Sequence, residues 1–196
     1  MKTNSDIEHY IRLQRTGYAN ADTARCYEKD IQIDYDSMKA HLPDTCSRIM
    51  DIGSGMAGID LLLYNHYKGT PELHLLDYSK TDDAVYYGYR QRGSVYNSLE
   101  LSAQFLIMNG VDKAKIGIHN AENGFYNKPY DIIISLISCG FHYPVSTYLK
   151  NIITSNPKIV ILDIRKYSNQ IPELKKHFSS VEIIAEYSKC ERVLMK

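Results

Sequence analysis

From Ser47 to the C-terminus, short apolar runs alternate with stretches of helical periodicity, and this restricts the chain to a largely parallel sheet covered by helices. The runs lie at residues 48–52, 72–77, 115–119, 130–136 and 158–163, with helical patterns at 59–64, 98–109 and 172–178 between or after them. Uninterrupted Ile and Val in the last two runs mark central strands buried on both faces. Two further runs, 181–187 and 192–195, are separated by only a few polar residues. A parallel crossover needs a dozen or more residues, so this pair is an antiparallel hairpin. The expected sheet is therefore seven-stranded and mostly parallel, closed by a C-terminal hairpin.

Residues 1–44 read as a helical N-terminal segment. Ile31, Tyr35, Met38 and Leu42 recur at helical steps on one face, and Pro43 stops the pattern. Such a stripe packs against a core. Just upstream, Arg15-Thr-Gly-Tyr-Ala-Asn20 is placed to cap a cleft. A chain of 196 residues suffices for one well-buried core and is short for two. Residues 1–196 are accordingly expected to form one domain, with the α/β core at 47–196.

Charge and cysteine usage exclude several classes of function. Lys and Arg together number 23 and Asp and Glu 23, so no long-range positive field gathers a nucleic acid. Cys26, Cys46, Cys139 and Cys190 are too scattered for a zinc motif or a disulfide framework, which fits a reducing cytoplasm. The first residues lack the apolar stretch of a signal peptide, and no run approaches the ~18 apolar residues of a membrane span. Tyr is over-used, at 17 residues. Tyr86, Tyr87, Tyr89, Tyr96 and Tyr143 fall in expected loops, where an aromatic body with a polar tip suits a half-wet ligand cleft and AT-rich codon usage is the plainer explanation.

Between the first strand and first helix stands Asp51-Ile-Gly53-Ser-Gly55-Met-Ala-Gly58. Backbone N–H groups are exposed at such a turn, and glycines let a cofactor approach closely. The spacing also matches a dinucleotide fingerprint, which asks for an acidic residue about 20 positions on. Asp77 meets that demand for NAD and S-adenosylmethionine alike, since both present ribose hydroxyls there. Three features separate them. A carboxylate at Asp51 suits a ligand carrying an ammonium group and repels a pyrophosphate. The terminal hairpin and the lack of a second domain for a hydride acceptor point the same way.

Asp51 to Gly58, Asp77 and the hairpin together resemble a class I S-adenosylmethionine-dependent methyltransferase, which implies a Rossmann-like fold. The resemblance spans residues 47–196. More narrowly, Tyr96-Asn-Ser-Leu99, Ile134-Ser-Leu-Ile-Ser-Cys-Gly-Phe-His-Tyr-Pro144 and Leu162-Asp-Ile-Arg-Lys166 are similar to bacterial sugar O-methyltransferases of surface polysaccharide pathways. The family's usual third glycine, two after Gly55, is Ala57 here, with Gly58 following. The resemblance implies that Gly53 and Gly55 give room at the methionine moiety and that Asp77 binds the ribose. It also places Asn120 and Ala121 at the adenine, although Asn120 serves equally as a turn residue.

Methyl transfer is an in-line displacement, so the protein aligns nucleophile and methyl and removes a proton when the acceptor is an alcohol. The acceptor is expected over the carboxyl ends of the fourth and fifth strands. His142 is the candidate base there, with Tyr143 beside it as a substrate contact. Asp163 is expected to orient His142 or bind substrate, and Arg165 to meet an acid or phosphate on the acceptor. Arg90 and Arg92 offer charge to an anionic substrate from a polar segment, residues 78–93, expected to act as a lid. The Asn/Asp-Pro-Pro-aromatic sequence of N-methylating nucleic-acid enzymes is absent, and Asp163 lacks the neighbours of a magnesium site. The expected activity is methylation of a small-molecule hydroxyl by S-adenosylmethionine without a metal. A dehydrogenase-like nucleotide binder and a catalytically silent binding protein are the alternatives.

Overall fold

A computed structural model of the chain describes residues 1–18, 22–80, 88–91 and 97–196. Arg92, Asn20, Tyr86, Tyr87, Tyr96 and most of the expected lid lie outside the described residues. Helices α1 (Ser5–Gln14) and α2 (Thr23–Asp36) precede β1 (Arg48–Ile52), α3 (Gly58–His66), β2 (Glu72–Asp77), α4 (Leu99–Met108) and β3 (Ile116–Asn120). Then follow β4 (Ile132–Ser135), α5 (Leu149–Thr154), β5 (Ile159–Arg165), a short α6 (Ile171–Leu174), β6 (Val181–Glu186) and β7 (Cys190–Met195).

The sheet has seven strands in the order β3-β2-β1-β4-β5-β7-β6. β1 through β5 pair in parallel, while β7 runs antiparallel to both β5 and β6. Alternate residues of each central strand serve opposite faces. Ile49, Leu75, Ile134 and Ile161 pack with α1 to α4, whereas Met50, Ile52, Ile133 and Leu162 pack with α5 and α6. Both faces are thus covered, which is why these strands read as continuous apolar runs. The strand order reverses between β1 and β4, and that reversal opens a crevice beyond their carboxyl ends.

The N-terminal helices obey the predicted stripe. Ile31 and Met38 are buried, and Tyr35 and Leu42 pack against the same core. The helix nevertheless ends at Asp36, well before Pro43, because the Asp34 carbonyl is taken by the Ser37 hydroxyl (2.6 Å) and by Arg192 Nη1 (3.0 Å). The Met38 N–H then turns to the Tyr35 carbonyl at 3.0 Å, tightening the chain into a 3-10 turn. Beyond this apolar packing, Arg192 ties the segment to the sheet by hydrogen bonds. Its Nε and Nη2 donate to the two Asp163 oxygens at 2.8 and 2.9 Å, Nη2 also to Asp34 Oδ1 at 2.8 Å, and Nη1 to Ser37 Oγ at 2.7 Å.

Candidate cofactor and acceptor site

A cavity of about 540 Å³ occupies the crevice at the strand reversal, a size ordinary for small-molecule sites. Its floor is the glycine loop. Gly53 adopts φ +75° and donates its N–H to the Leu76 carbonyl at 2.6 Å, which ties the loop to β2. An added Cβ there would sit 1.9 Å from Ser138 Oγ, so glycine is needed for both its conformation and its lack of bulk. The Gly58 N–H, at the start of α3, donates to the Tyr27 hydroxyl at 3.0 Å.

Asp77 ends β2 beneath this loop. One carboxyl oxygen accepts from Gly55 N (2.9 Å) and Asn97 Nδ2 (3.0 Å), the other from Tyr78 N (2.7 Å). Burial raises its pKa to about 6 despite these donors. Asn97 also donates to the Gly55 carbonyl at 3.0 Å and accepts from Gln14 Nε2 at 3.1 Å. Loop, β2 and α1 are thereby joined at one side chain. Asp51, at the end of β1, lines the cavity while its Oδ1 is buried with no hydrogen-bond donor among the described residues.

Sequence reasoning brought Asp51, Gly53, Gly55, Asp77, Ala121, His142 and Tyr143 to one cavity wall. Three other expectations are corrected. Asn120 does not line the cavity, because its side chain turns back to accept the Glu122 N–H at 3.0 Å, and Ala121 lies at that edge instead. Asp163 does not orient His142: β5 runs on to Arg165, and Asp163, fully buried, pairs directly across the sheet with Arg192. Arg165 stays outside this cavity, where its Nε donates to the Phe141 carbonyl at 2.8 Å and its guanidinium stacks 4.2 Å from the Phe141 ring.

On the acceptor side, Ser135 Oγ bonds both the Ile52 carbonyl (2.6 Å) and the Cys139 N–H (2.9 Å), fixing the loop after β4 to the end of β1. His142 then faces the Gly88 carbonyl through Nδ1 at 3.2 Å. A carbonyl only accepts, so Nδ1 carries the proton and Nε2 keeps its lone pair. Burial holds the imidazole pKa below its ordinary value. The Arg90 N–H donates to the His142 carbonyl at 2.9 Å, and the Tyr143 hydroxyl lies 3.2 Å from Ser138 Oγ. Arg15, from the stretch expected to cap a cleft, lies on the remaining wall, where Gln14 of α1 and Tyr27, Ile31 and Asp34 of α2 were not foreseen. The only hint in the sequence was the polar stretch at Arg15.

No protein-family model matches the chain, and no curated protein matches it in sequence. Solved structures do. StiE O-MT, residues 961–1257, superposes with a TM-score of 0.58 at 10% identity, over 95% of this chain and 80% of that one. The ribosomal protein L11 methylase from Lactobacillus delbrueckii subsp. bulgaricus gives 0.52 at 13% identity, over 84% and 77%. TrmK from M. capricolum, in complex with S-adenosyl-homocysteine, gives 0.51 at 10% identity, over 83% and 67%. Strand order, antiparallel hairpin and these superpositions agree, and the chain has the Rossmann-like methyltransferase fold.

Proposed function

We propose that the protein is an S-adenosylmethionine-dependent methyltransferase acting on a hydroxyl of a small acceptor, of the sugar or surface-polysaccharide-precursor kind. The observation that carries the cofactor reading is the donor set of the glycine loop. The N–H groups of Gly53, Gly55, Ala57 and Gly58 are committed to Leu76 O, Asp77, Ser54 O and Tyr27. A pyrophosphate needs such donors free at the helix start. What faces the cavity instead is the orphan carboxyl of Asp51, which suits the ammonium of a methionine moiety.

When bound, the cofactor supplies an electrophilic methyl group on a sulfonium. Asp77 would accept hydrogen bonds from the ribose hydroxyls, Asp51 would meet the ammonium, and Ala121 would border the adenine. His142 Nε2 would accept the acceptor's hydroxyl proton as the oxygen takes the methyl group. Tyr143 and Gln91 line the same cavity and would position the acceptor. Arg90 and Arg92, the sequence neighbours of Gln91, would serve an anionic group.

The fold does not choose the acceptor, since fold-mates include a ribosomal protein methylase. The small-molecule reading is supported by the cavity's size and by Tyr78, Tyr143 and Tyr148, polar-tipped aromatics suited to a sugar face. The balanced charge gives a nucleic acid no long-range attraction. Incubating the protein with S-adenosylmethionine and a panel of nucleotide-linked sugars and sugar acids tests this, by homocysteine release after hydrolysis of the product. Turnover confined to nucleic acid or protein acceptors would overturn the sugar reading.

A further inference from the structure

Directly behind Asp51 stands a second acid, Asp60, in the first turn of α3. An acidic residue at this third helical position commonly reaches back to the N–H of the capping residue. Here the Ala57 N–H is engaged by the Ser54 carbonyl at 2.9 Å, and the buried Asp60 carboxyl interacts with that of Asp51. Asp60 is 0% and Asp51 2% exposed. Among the described residues, neither Asp60 oxygen nor Asp51 Oδ1 has a donor, and Ser54 Oγ on the same cavity wall is also buried without a partner. Asp77 on β2 and the Tyr27 hydroxyl on α2 also face the pair, and the nearest cation on the cavity wall among the described residues, Arg15, is held by Asp30 and Asp34 at 3.7 and 3.6 Å.

Two touching carboxyl groups shut away from water cannot both ionise, so one proton lies between them. Resting on the cofactor reading above, we propose that Asp60 is the proton-sharing partner of Asp51 and that the cofactor's ammonium group displaces this proton. The carboxyl O–H bond breaks, the proton leaves to solvent, and the ammonium N–H groups take its place as donors to the pair. No electrons move. Asp60 is thus a positioning residue for the methionine end: it keeps Asp51 neutralised until a ligand's ammonium group reaches it and sets the pH above which the ammonium is held tightly. The direction of the pKa shifts agrees, because burial raises both acids, Asp60 to about 6, and the charge of Asp60 raises Asp51 further.

Calorimetry separates this event from others. S-adenosylhomocysteine carries ribose and ammonium, whereas 5′-methylthioadenosine carries the ribose alone and reports any proton lost from Asp77. Each is titrated between pH 6 and 7.5 in buffers of different ionisation enthalpy, and the slope gives protons released. S-adenosylhomocysteine should release roughly half a proton more than methylthioadenosine, and its affinity should rise more steeply with pH. Asp60→Asn, whose amide can donate to an ionised Asp51, should abolish the difference while S-adenosylhomocysteine still binds. Equal release by the two ligands on the wild-type protein overturns the proposal, and needs no variant to fold. Failure of both ligands to bind would instead remove the cofactor reading on which it rests.

Discussion

Replacing Arg192 by Met tests how the N-terminal helices are held to the sheet. The Arg192 side chain is 1% exposed and makes five hydrogen bonds of 2.7–3.0 Å, to Asp163, Asp34 and Ser37. Methionine approximates its bulk but leaves Asp163, fully buried, with no countercharge. Breaking one side of a buried ion pair typically costs ~3–5 kcal/mol, most of it the penalty on the abandoned charge. Urea unfolding followed by circular dichroism at pH 7 should register a loss of that size. Burial already raises the Asp163 carboxyl above its usual value beside Arg192. Without the guanidinium its folded-state pKa rises further above the unfolded one. The folded variant then binds more protons than the unfolded chain, so its deficit shrinks as pH falls. Arg192→Met with Asp163→Asn should recover part of the loss, because a neutral amide is cheaper to bury. A single variant within ~1 kcal/mol of wild type, in the face of that expected penalty, would refute this reasoning. So would a double variant no more stable than the single.

Asp77→Ala should weaken S-adenosylhomocysteine binding by ~2–3 kcal/mol in calorimetry, since it removes charge-assisted bonds to ligand and loop together. With the Asp77 pKa raised to about 6, wild-type affinity should rise as pH climbs through that value and the carboxylate ionises. His142→Ala should lower turnover by ~10²- to 10⁴-fold with cofactor affinity unchanged. The wild-type rate should be flat near neutrality and fall only below the depressed imidazole pKa, and full turnover in the variant would point to an amine or already ionised acceptor. Asp163→Asn should leave that pH–rate profile in place, because its partner is Arg192. Gly58→Ala would bring a Cβ within 2.5 Å of the Tyr27 hydroxyl and 2.9 Å of Ile31, and overpacking of this kind typically costs ~1–3 kcal/mol. A thermal melt equal to wild type would show that α2 can give way.

What the sequence revealed was what periodicity and local spacing encode. The strands, the hairpin and the glycine loop are short-range patterns, as is the distance from Gly53 to Asp77. Helix ends were less legible, because α2 is stopped by Arg192, a residue 158 positions from Asp34. The same limit explains the misplacement of Asp163. Its position near the end of a strand suggested an open site, whereas the antiparallel register of β7 sets Arg192 directly opposite it. Asn120 fell to a competing local rule, the tendency of such residues to cap their own turn. Gln14 and Tyr27 carried no pattern that marks a ligand contact, and Asn97 stood in the quoted Tyr96-Asn-Ser-Leu99 segment without an assigned role. They meet the glycine loop only through tertiary packing.

If S-adenosylmethionine occupies the crevice between β1 and β4, its demethylated product should bind there as well. The most direct test of this occupancy is calorimetric titration of the purified protein with S-adenosylhomocysteine, beside a parallel titration with NADH. One S-adenosylhomocysteine should bind per chain, with no NADH competing for the same cavity. Saturable NADH binding without S-adenosylhomocysteine binding would contradict the S-adenosylmethionine assignment.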